Sequence, residues 1–369
     1  MSRLLLALLA LAVLTPLPGR TLHAQSATDG RLFDQGRTMT ERSPRADATL
    51  DQMKALLGQW DVAVTTHPTD STTHEAQGHA EITYMNRGYA YQERRRVPGY
   101  DEAGRETDVM AFLVFTPAVQ EWALGEVSTY TEHVELYNGD PRTDDRLVLS
   151  TSVRRRGGTR LIHYRVTYTI TSAEAFTVVM DRSVDDEPWV VLEERRYTRR
   201  APSADFMAVR EDWGAPAPGL PEAARQFDFL IGTWGAAHRI NLGGNWIQYP
   251  STTTASYVLG GRGILEYSWF NTDPNLPDAA TSILRIYNRV ERRWESLYLT
   301  NRGNALLDFG GVWEGDRMVL HLFDTNLTDP VTRFVFHAIE PDRYQWFAET
   351  SRDRGESFTT TWTIDITRQ

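Results

Sequence analysis

The chain contains no cysteine. That excludes disulfides, thiol nucleophiles and cysteine-based metal or iron–sulfur sites. Lysine is nearly absent, Lys54 being the only one. Schiff-base chemistry would rest on that residue alone, on a helix ahead of the strands. No nucleophile elbow, phosphate-binding glycine loop or His-Glu-x-x-His helix occurs. Serine, aspartate and histidine are scattered, so no catalytic triad can be argued from spacing. Positive charge is in deficit. The formal net charge is −10, which argues against nucleic acid or an anionic membrane as partner.

Long apolar runs are missing too, with one exception. Arg3 precedes the run Leu4 to Leu14, Pro16, Pro18 and Gly19 break it, and Leu22-His23-Ala24 precedes Gln25. The run is too short to span a bilayer and has the charged start of a secretory signal. The expectation is a signal peptide over 1–24, cleaved near Ala24/Gln25. The remaining chain would be secreted or periplasmic, without integral membrane contact.

What is present is aromatic and globular. Hydrophobic residues make up 41% and charged residues 24%, enough to bury a core. With 11 Trp, 15 Tyr and 14 Phe, alongside frequent Thr and Val, the composition favours strands. Residues 25–44 read as a flexible lead-in. Leu50, Met53, Leu56 and Leu57 then fall at helical spacing, and Gly58 ends that helix. Alternating runs separated by turn residues follow as far as Thr198. Pro202, Pro216, Pro218 and Pro221 mark a linker over 201–221.

The pattern then repeats. Leu56-Leu57-Gly58-Gln59-Trp60 returns as Leu230-Ile231-Gly232-Thr233-Trp234. Arg87-Gly88 returns as Arg262-Gly263, Phe115…Trp122 as Tyr287…Trp294, and Thr198-Arg199 as Thr367-Arg368. Ordered landmarks of this kind mark an internal duplication. The predicted architecture is all-β, with two tandem antiparallel β-barrels over 45–200 and 222–369, each preceded by a short helix.

A Gly-x-Trp after a short helix, opening an antiparallel chain, resembles the signature of the lipocalin/calycin superfamily. More narrowly, each half resembles the bacterial lipocalin-like family DUF1579. The shared features are the Leu-x-Gly-x-Trp start, the Gly260-Gly261-Arg262 turn, the aromatic–turn–aromatic hairpin and the Tyr-Thr-Arg-like end. That family brings no settled activity. The lipocalin likeness implies a tryptophan plug at the closed end, covered by an arginine from the last strand. Arg199 would cover Trp60 and Arg368 would cover Trp234, each pair contributing about 0.5–2 kcal/mol.

Ligand candidates are polar and aromatic residues on second-half strands: Glu266, Trp269, Arg285, Tyr298, His321 and Trp346. Alternation could turn such residues into an aromatic-walled cup. Strand parity is open, because one bulge reverses every side chain. His67, His74 and His79, with Asp70, Glu75 and Glu81 interleaved, are metal candidates. Their spacing fits no ligand motif, and the stretch reads as a solvated hairpin loop. Gly232-Thr233-Trp234 and Tyr249-Pro250 also resemble nitrobindin-like haem barrels. Neither Trp189–Arg200 nor Phe358–Gln369 supplies the histidine that haem would need. No cofactor is expected. The runs Arg94-Arg95-Arg96, Arg154-Arg155-Arg156 and Arg195-Arg196 read as solvated strand edges.

The expected function is binding of a small, partly apolar molecule, the second barrel being favoured by Trp269, Trp294, Trp313 and Trp346. The alternatives are an enzyme acting on a lipophilic substrate, isomerase- or hydrolase-like, and a structural module with filled barrels. The sequence leaves the oligomeric state and the docking of the barrels open.

Overall fold

The computed structural model describes residues 42–69, 72–154, 159–203, 214–270, 279–301, 303, 305–323 and 331–369. The expected signal peptide over 1–24, all but the last residues of the lead-in, Asp70, Arg155, Arg156 and linker residues 204–213 lie outside these.

Ala48–Leu56 forms a 3₁₀ helix capped by Asp47, whose side chain accepts from the Thr49 amide. Its buried face, Leu50, Met53 and Leu56, closes the end of the first barrel. That barrel comprises β1 (Gly58–Thr69), β2 (Thr72–Met85), β3 (Ala90–Val97), β4 (Thr107–Thr116), β5 (Glu121–Ser128), β6 (Val134–Gly139), β7 (Arg146–Arg154), β8 (Leu161–Ser172), β9 (Ala175–Val184) and β10 (Val190–Arg199). Two 3₁₀ turns, Glu222–Arg225 and Asp228–Leu230, precede the second barrel. It comprises β11 (Gly232–Leu242), β12 (Asn245–Val258), β13 (Gly263–Phe270), β14 (Ala279–Asn288), β15 (Arg293–Thr300), β16 (Ala305–Glu314), β17 (Arg317–Leu322), β18 (Val331–Glu340), β19 (Arg343–Ser351) and β20 (Thr359–Arg368). Each barrel closes by pairing its first strand with its last, β1 with β10 and β11 with β20.

Trp60 and Trp234 are fully buried, and each indole donates to the carbonyl four residues back, Leu56 at 2.8 Å and Leu230 at 2.7 Å. The Arg199 guanidinium lies 4.3 Å from the Trp60 ring, and that of Arg368 lies 4.0 Å from Trp234. Arg199 also donates to the carbonyls of Leu57 and Ala55, and Arg368 to that of Ile231. Gly58 and Gly232 sit beneath these arginines at φ 130° and 123°. A Cβ there would come within 2.5 Å and 2.6 Å of the guanidinium nitrogens, so each glycine serves both the backbone turn and the close approach.

The barrels dock. Alternate residues on β4 and β5 leave the first barrel's interior and meet the second: Met110, Phe112, Val114, Ala123 and Val127 share one buried cluster with Leu284, Ile286, Leu297, Leu299 and Leu306. A Cβ on Gly125 would come within 2.8 Å of the Leu297 methyls, so the absence of a side chain admits Leu297. Arg87, in the β2–β3 turn, lies 4.6 Å from the Trp269 ring across the seam. The linker packs as well, Ala217 donating to the Gly261 carbonyl at 3.0 Å.

The arginine runs depart from the solvated-edge reading. A closed barrel has no edge, and alternation sends one member of Arg94-Arg95-Arg96 and one of Arg195-Arg196 inward. Arg95 and Arg195 are buried in the first barrel. Their neighbours Arg94 and Arg96 face outward and pair with Glu81 and Glu106.

Candidate functional site

The two interiors differ at matching positions. The mid-to-open half of the first barrel is filled by an ion network. Arg95 donates to Glu93 at 2.6 Å and to the Tyr197 hydroxyl at 2.9 Å, and Tyr197 donates onward to Glu93 at 2.7 Å. Arg195 donates to Glu126 at 3.1 Å and to Glu193, which also accepts from Tyr100. Burial would strip the charge from Arg95, and Arg195 repels it. Glu93, Tyr197 and Glu126 outweigh both and hold it firmly protonated. Each charge therefore has an opposite charge and a hydrogen bond, the condition under which ions tolerate burial.

Landmarks in the repeat locate the counterparts. Four residues before Arg199 and Arg368 stand Arg195 and Ile364; four after Trp122 and Trp294 stand Glu126 and Tyr298; six after Arg87 and Arg262 stand Glu93 and Ser268. Where the first barrel carries charge, the second carries apolar or small residues. A cavity of about 290 Å³ opens there, and every strand of the second barrel lines it.

Depth follows strand direction, since β11 runs from the plug toward the open end. Glu266, Arg285, Phe336 and Tyr344 lie deep, His238, Tyr298, Phe334 and Trp346 midway, and Phe270 and Trp362 near the mouth. Of the residues singled out in the sequence, Glu266, Arg285, Tyr298 and Trp346 line the cavity. Trp269 and His321 do not. Trp269 is three residues from the inward Glu266 and takes the outer face, against Arg87. His321 lies between the inward Leu320 and Leu322 and is exposed.

At the floor, Arg285 Nη1 lies 2.8 Å from Glu266 Oε2, with 1% and 13% of their side chains exposed. Distance and direction disagree here. The ions are close, yet Arg285 Nε and Nη1 and Glu266 Oε2 have no aligned hydrogen-bond partner among the described residues. Hydrogen bonds weaken steeply when bent, so charge, more than hydrogen bonding, holds this pair. The guanidinium lies 5.2 Å from the Phe227 ring and 5.8 Å from that of Phe336. Tyr344 stands nearby, its hydroxyl pushed well above the ordinary range by burial and then by the Glu266 charge.

His238 is a cavity residue that the sequence reading missed. Its ring stacks on Tyr249 at 4.6 Å. The Trp362 indole donates to its Nδ1 at 3.2 Å, and Nε2 lies 2.7 Å from Ser251 Oγ. Indole can only donate, so Nδ1 accepts and Nε2 carries the proton of the neutral ring. The signal was available: β11 has no bulge, and its even positions follow Trp234 inward through Ala236 and His238.

The first-half histidines lie on strands rather than in a loop. His74 bonds the Gly99 carbonyl at 2.8 Å and His79 bonds Asp61 at 3.0 Å. His67 falls on β1, and its Nε2 is buried without a partner among the described residues. Those residues contain no cluster of three or more His, Cys, Asp or Glu suited to a metal ion.

Residues 46–199 match the family model of DUF1579, a protein of unknown function. No curated protein matches the chain. Among solved structures, a protein of unknown function from the DUF3598 family of Nostoc punctiforme is 11% identical. The alignment covers 88% of this chain and 100% of that one, with a TM-score of 0.24. Rv2717c from M. tuberculosis is 11% identical over 42% of this chain and 99% of its own, with a TM-score of 0.32. The part of the chain that matches DUF1579 is the first barrel, from the residues before its plug helix to its plug arginine, Arg199.

Proposed function

We propose that the protein binds a small, partly apolar molecule in the cup of its second barrel, while the first barrel is a filled structural partner. The observation that carries this reading is the contrast between the interiors. The same scaffold is packed with paired ions in one copy and opened into an aromatic-walled cavity of about 290 Å³ in the other. An apolar cavity of roughly 150 Å³ admits benzene, so this volume suits a ligand of about twelve heavy atoms. The lipocalin-like likeness of the repeat motif and the secretory-signal pattern of residues 1–24 support a carrier or scavenger outside the cytoplasm. Native mass spectrometry of protein purified from its own host tests the proposal. A retained adduct of small-molecule mass, absent from an Ala348→Phe variant with a narrowed cup, is expected. Equal masses for protein before and after denaturation, in every preparation, would count against it.

A second reading is favoured by one feature. Glu266 is a carboxylate inside the cup, beside Arg285 and Tyr344. An enzyme acting on a lipophilic substrate would need such a base near a cation and a hydroxyl. Turnover of a lipophilic substrate that is lost in Glu266→Gln while the substrate still binds, and lost with binding in Ala348→Phe, would favour it over simple binding.

A further inference from the structure

The floor of the cup is built for a particular kind of head group. We propose that Glu266 and Arg285 together select a ligand whose buried end is uncharged and both donates and accepts hydrogen bonds, as a carboxamide does. The inference rests on the cup reading above and specifies its ligand.

The first barrel acts as an internal control. Four residues after the Arg of the Arg-Gly turn it has Tyr91 where the second barrel has Glu266, and two before the hairpin aromatic it has Leu113 where the second has Arg285. Tyr91 donates to the Leu50 carbonyl at 2.5 Å, tying the plug helix to the wall. Its fold therefore closes with no ion at either position. Buried ion pairs are often no more stabilising than apolar residues of similar size. The scaffold thus does not require Glu266 and Arg285.

The protein pairs them with each other but leaves their hydrogen bonding incomplete. Arg285 is 1% exposed, and its Nε and Nη1, with Glu266 Oε2, lack aligned partners among the described residues. Ser296, its cross-strand neighbour on β15, likewise has a buried hydroxyl without a partner there. Buried polar groups are rarely left so, because each forfeits its hydration. Phe227 and Phe336 flank the guanidinium, so it meets a ligand in a fixed pose.

The charges decide what can enter. Glu266 is the more exposed partner, and both residues line the cup. A carboxylate head would meet Glu266 and be repelled, and an ammonium would be opposed by Arg285. A neutral head can donate to Glu266 and accept from Arg285 without upsetting their balance. The apolar remainder would lie against Phe334 and Trp346 toward the mouth.

Calorimetric titration with four probes of one shape tests this: 4-phenylbutanamide, 4-phenylbutanoate, 4-phenylbutylamine and butylbenzene. The amide should bind about tenfold or more tightly than the other three, as hydrogen bonds to charged groups imply. Glu266→Gln should shift preference to the carboxylate, and Arg285→Gln to the amine. If a single replacement unfolds the chain, the paired variant Glu266→Gln/Arg285→Met, which leaves no lone charge, replaces it. There the preference should vanish while butylbenzene still binds. Equal affinity of the intact protein for all four probes, or a preference for the carboxylate, overturns the head-group assignment and leaves the cup standing. Failure of every probe, butylbenzene included, overturns the cup reading and this inference with it.

Discussion

Ser282 of the second barrel donates a 2.6 Å hydrogen bond to the side-chain oxygen of Asn86 in the first. Asn86 in turn donates to the Leu299 carbonyl at 3.2 Å, and Asn301 donates to the Asn86 carbonyl at 3.3 Å. Asn86 is 1% exposed and sits at φ 45° in the β2–β3 turn. One turn residue of the first barrel is thus bonded three times by the second, beside the shared apolar cluster. Asn86→Ala leaves Ser282 and Leu299 groups unpaired in a buried seam and should cost about 2–3 kcal/mol. In calorimetry the intact chain should melt in one transition and the variant in two, as the barrels uncouple. A single unshifted transition would mean that the seam contributes little.

The plug arginines act through both ring and carbonyl contacts. Arg199→Met and Arg368→Met keep the apolar stem and remove the guanidinium. Each should lower stability by about 1–3 kcal/mol in urea titrations, from the cation–π contact and the freed carbonyls. Gly232→Ala should be at least as harmful, since it adds strain at φ 123° and a clash with Arg368. Unchanged midpoints for all three would remove the plug from the account.

In the first barrel, Arg195→Met removes a cation and leaves Glu126 and Glu193 buried with less compensation. Breaking a buried network from one side costs about 3–5 kcal/mol, whereas Arg196→Met, on the exposed face of the same strand, should change stability by less than about 0.5 kcal/mol. Equal effects would mean that Arg195 is solvated in solution.

The His133–Glu135 pair at 2.9 Å gives a pH dependence. Burial alone would lower the His133 pKa, but the hydrogen bond and charge of Glu135 outweigh it, and the net shift is upward from 6.5. Burial would raise the Glu135 pKa, but His133 and Tyr137 hold it below 4.5. The His133 contribution is therefore complete below 6.5 and is lost as pH rises through its raised folded value. The Glu135 contribution is complete above 4.5 and is lost only as pH falls through its lowered value. Between pH 6 and 9 the intact chain should lose slightly more stability than His133→Gln. The excess stays below about 1 kcal/mol, because the imidazole is partly exposed. Parallel curves for the two proteins would contradict this.

Much of this was readable beforehand, for identifiable reasons. Trp60 and Trp234 repeat with their glycines, and Arg199 and Arg368 repeat at the far ends, because a barrel's closure depends on those contacts and little else can make them. Glu266 and Trp269 could not both face the cup, being three apart on a strand without a bulge. Counting from Trp234 would have found His238. Docking also left a trace. Val109 to Phe115 is apolar without alternation, as expected of a strand buried on both faces. What remained hidden was the pairing of Arg95 and Arg195 with Glu93, Glu126 and Glu193. Arg95 and Arg195 each stand two residues from one carboxylate, Glu93 and Glu193, but Glu126 is far from both in the chain, and only barrel closure brings all five to one level.

The central claim is that the second barrel, and not the first, is an open cup. The most direct test is a titration of butylbenzene into the intact chain, into Ala348→Phe and into Ala111→Phe, a matched replacement at a packed inward site of the first barrel. The account predicts saturable binding to the intact chain, its loss in Ala348→Phe, and its retention in folded Ala111→Phe. Binding that survives in Ala348→Phe and disappears in folded Ala111→Phe would place the ligand in the wrong barrel and contradict the account.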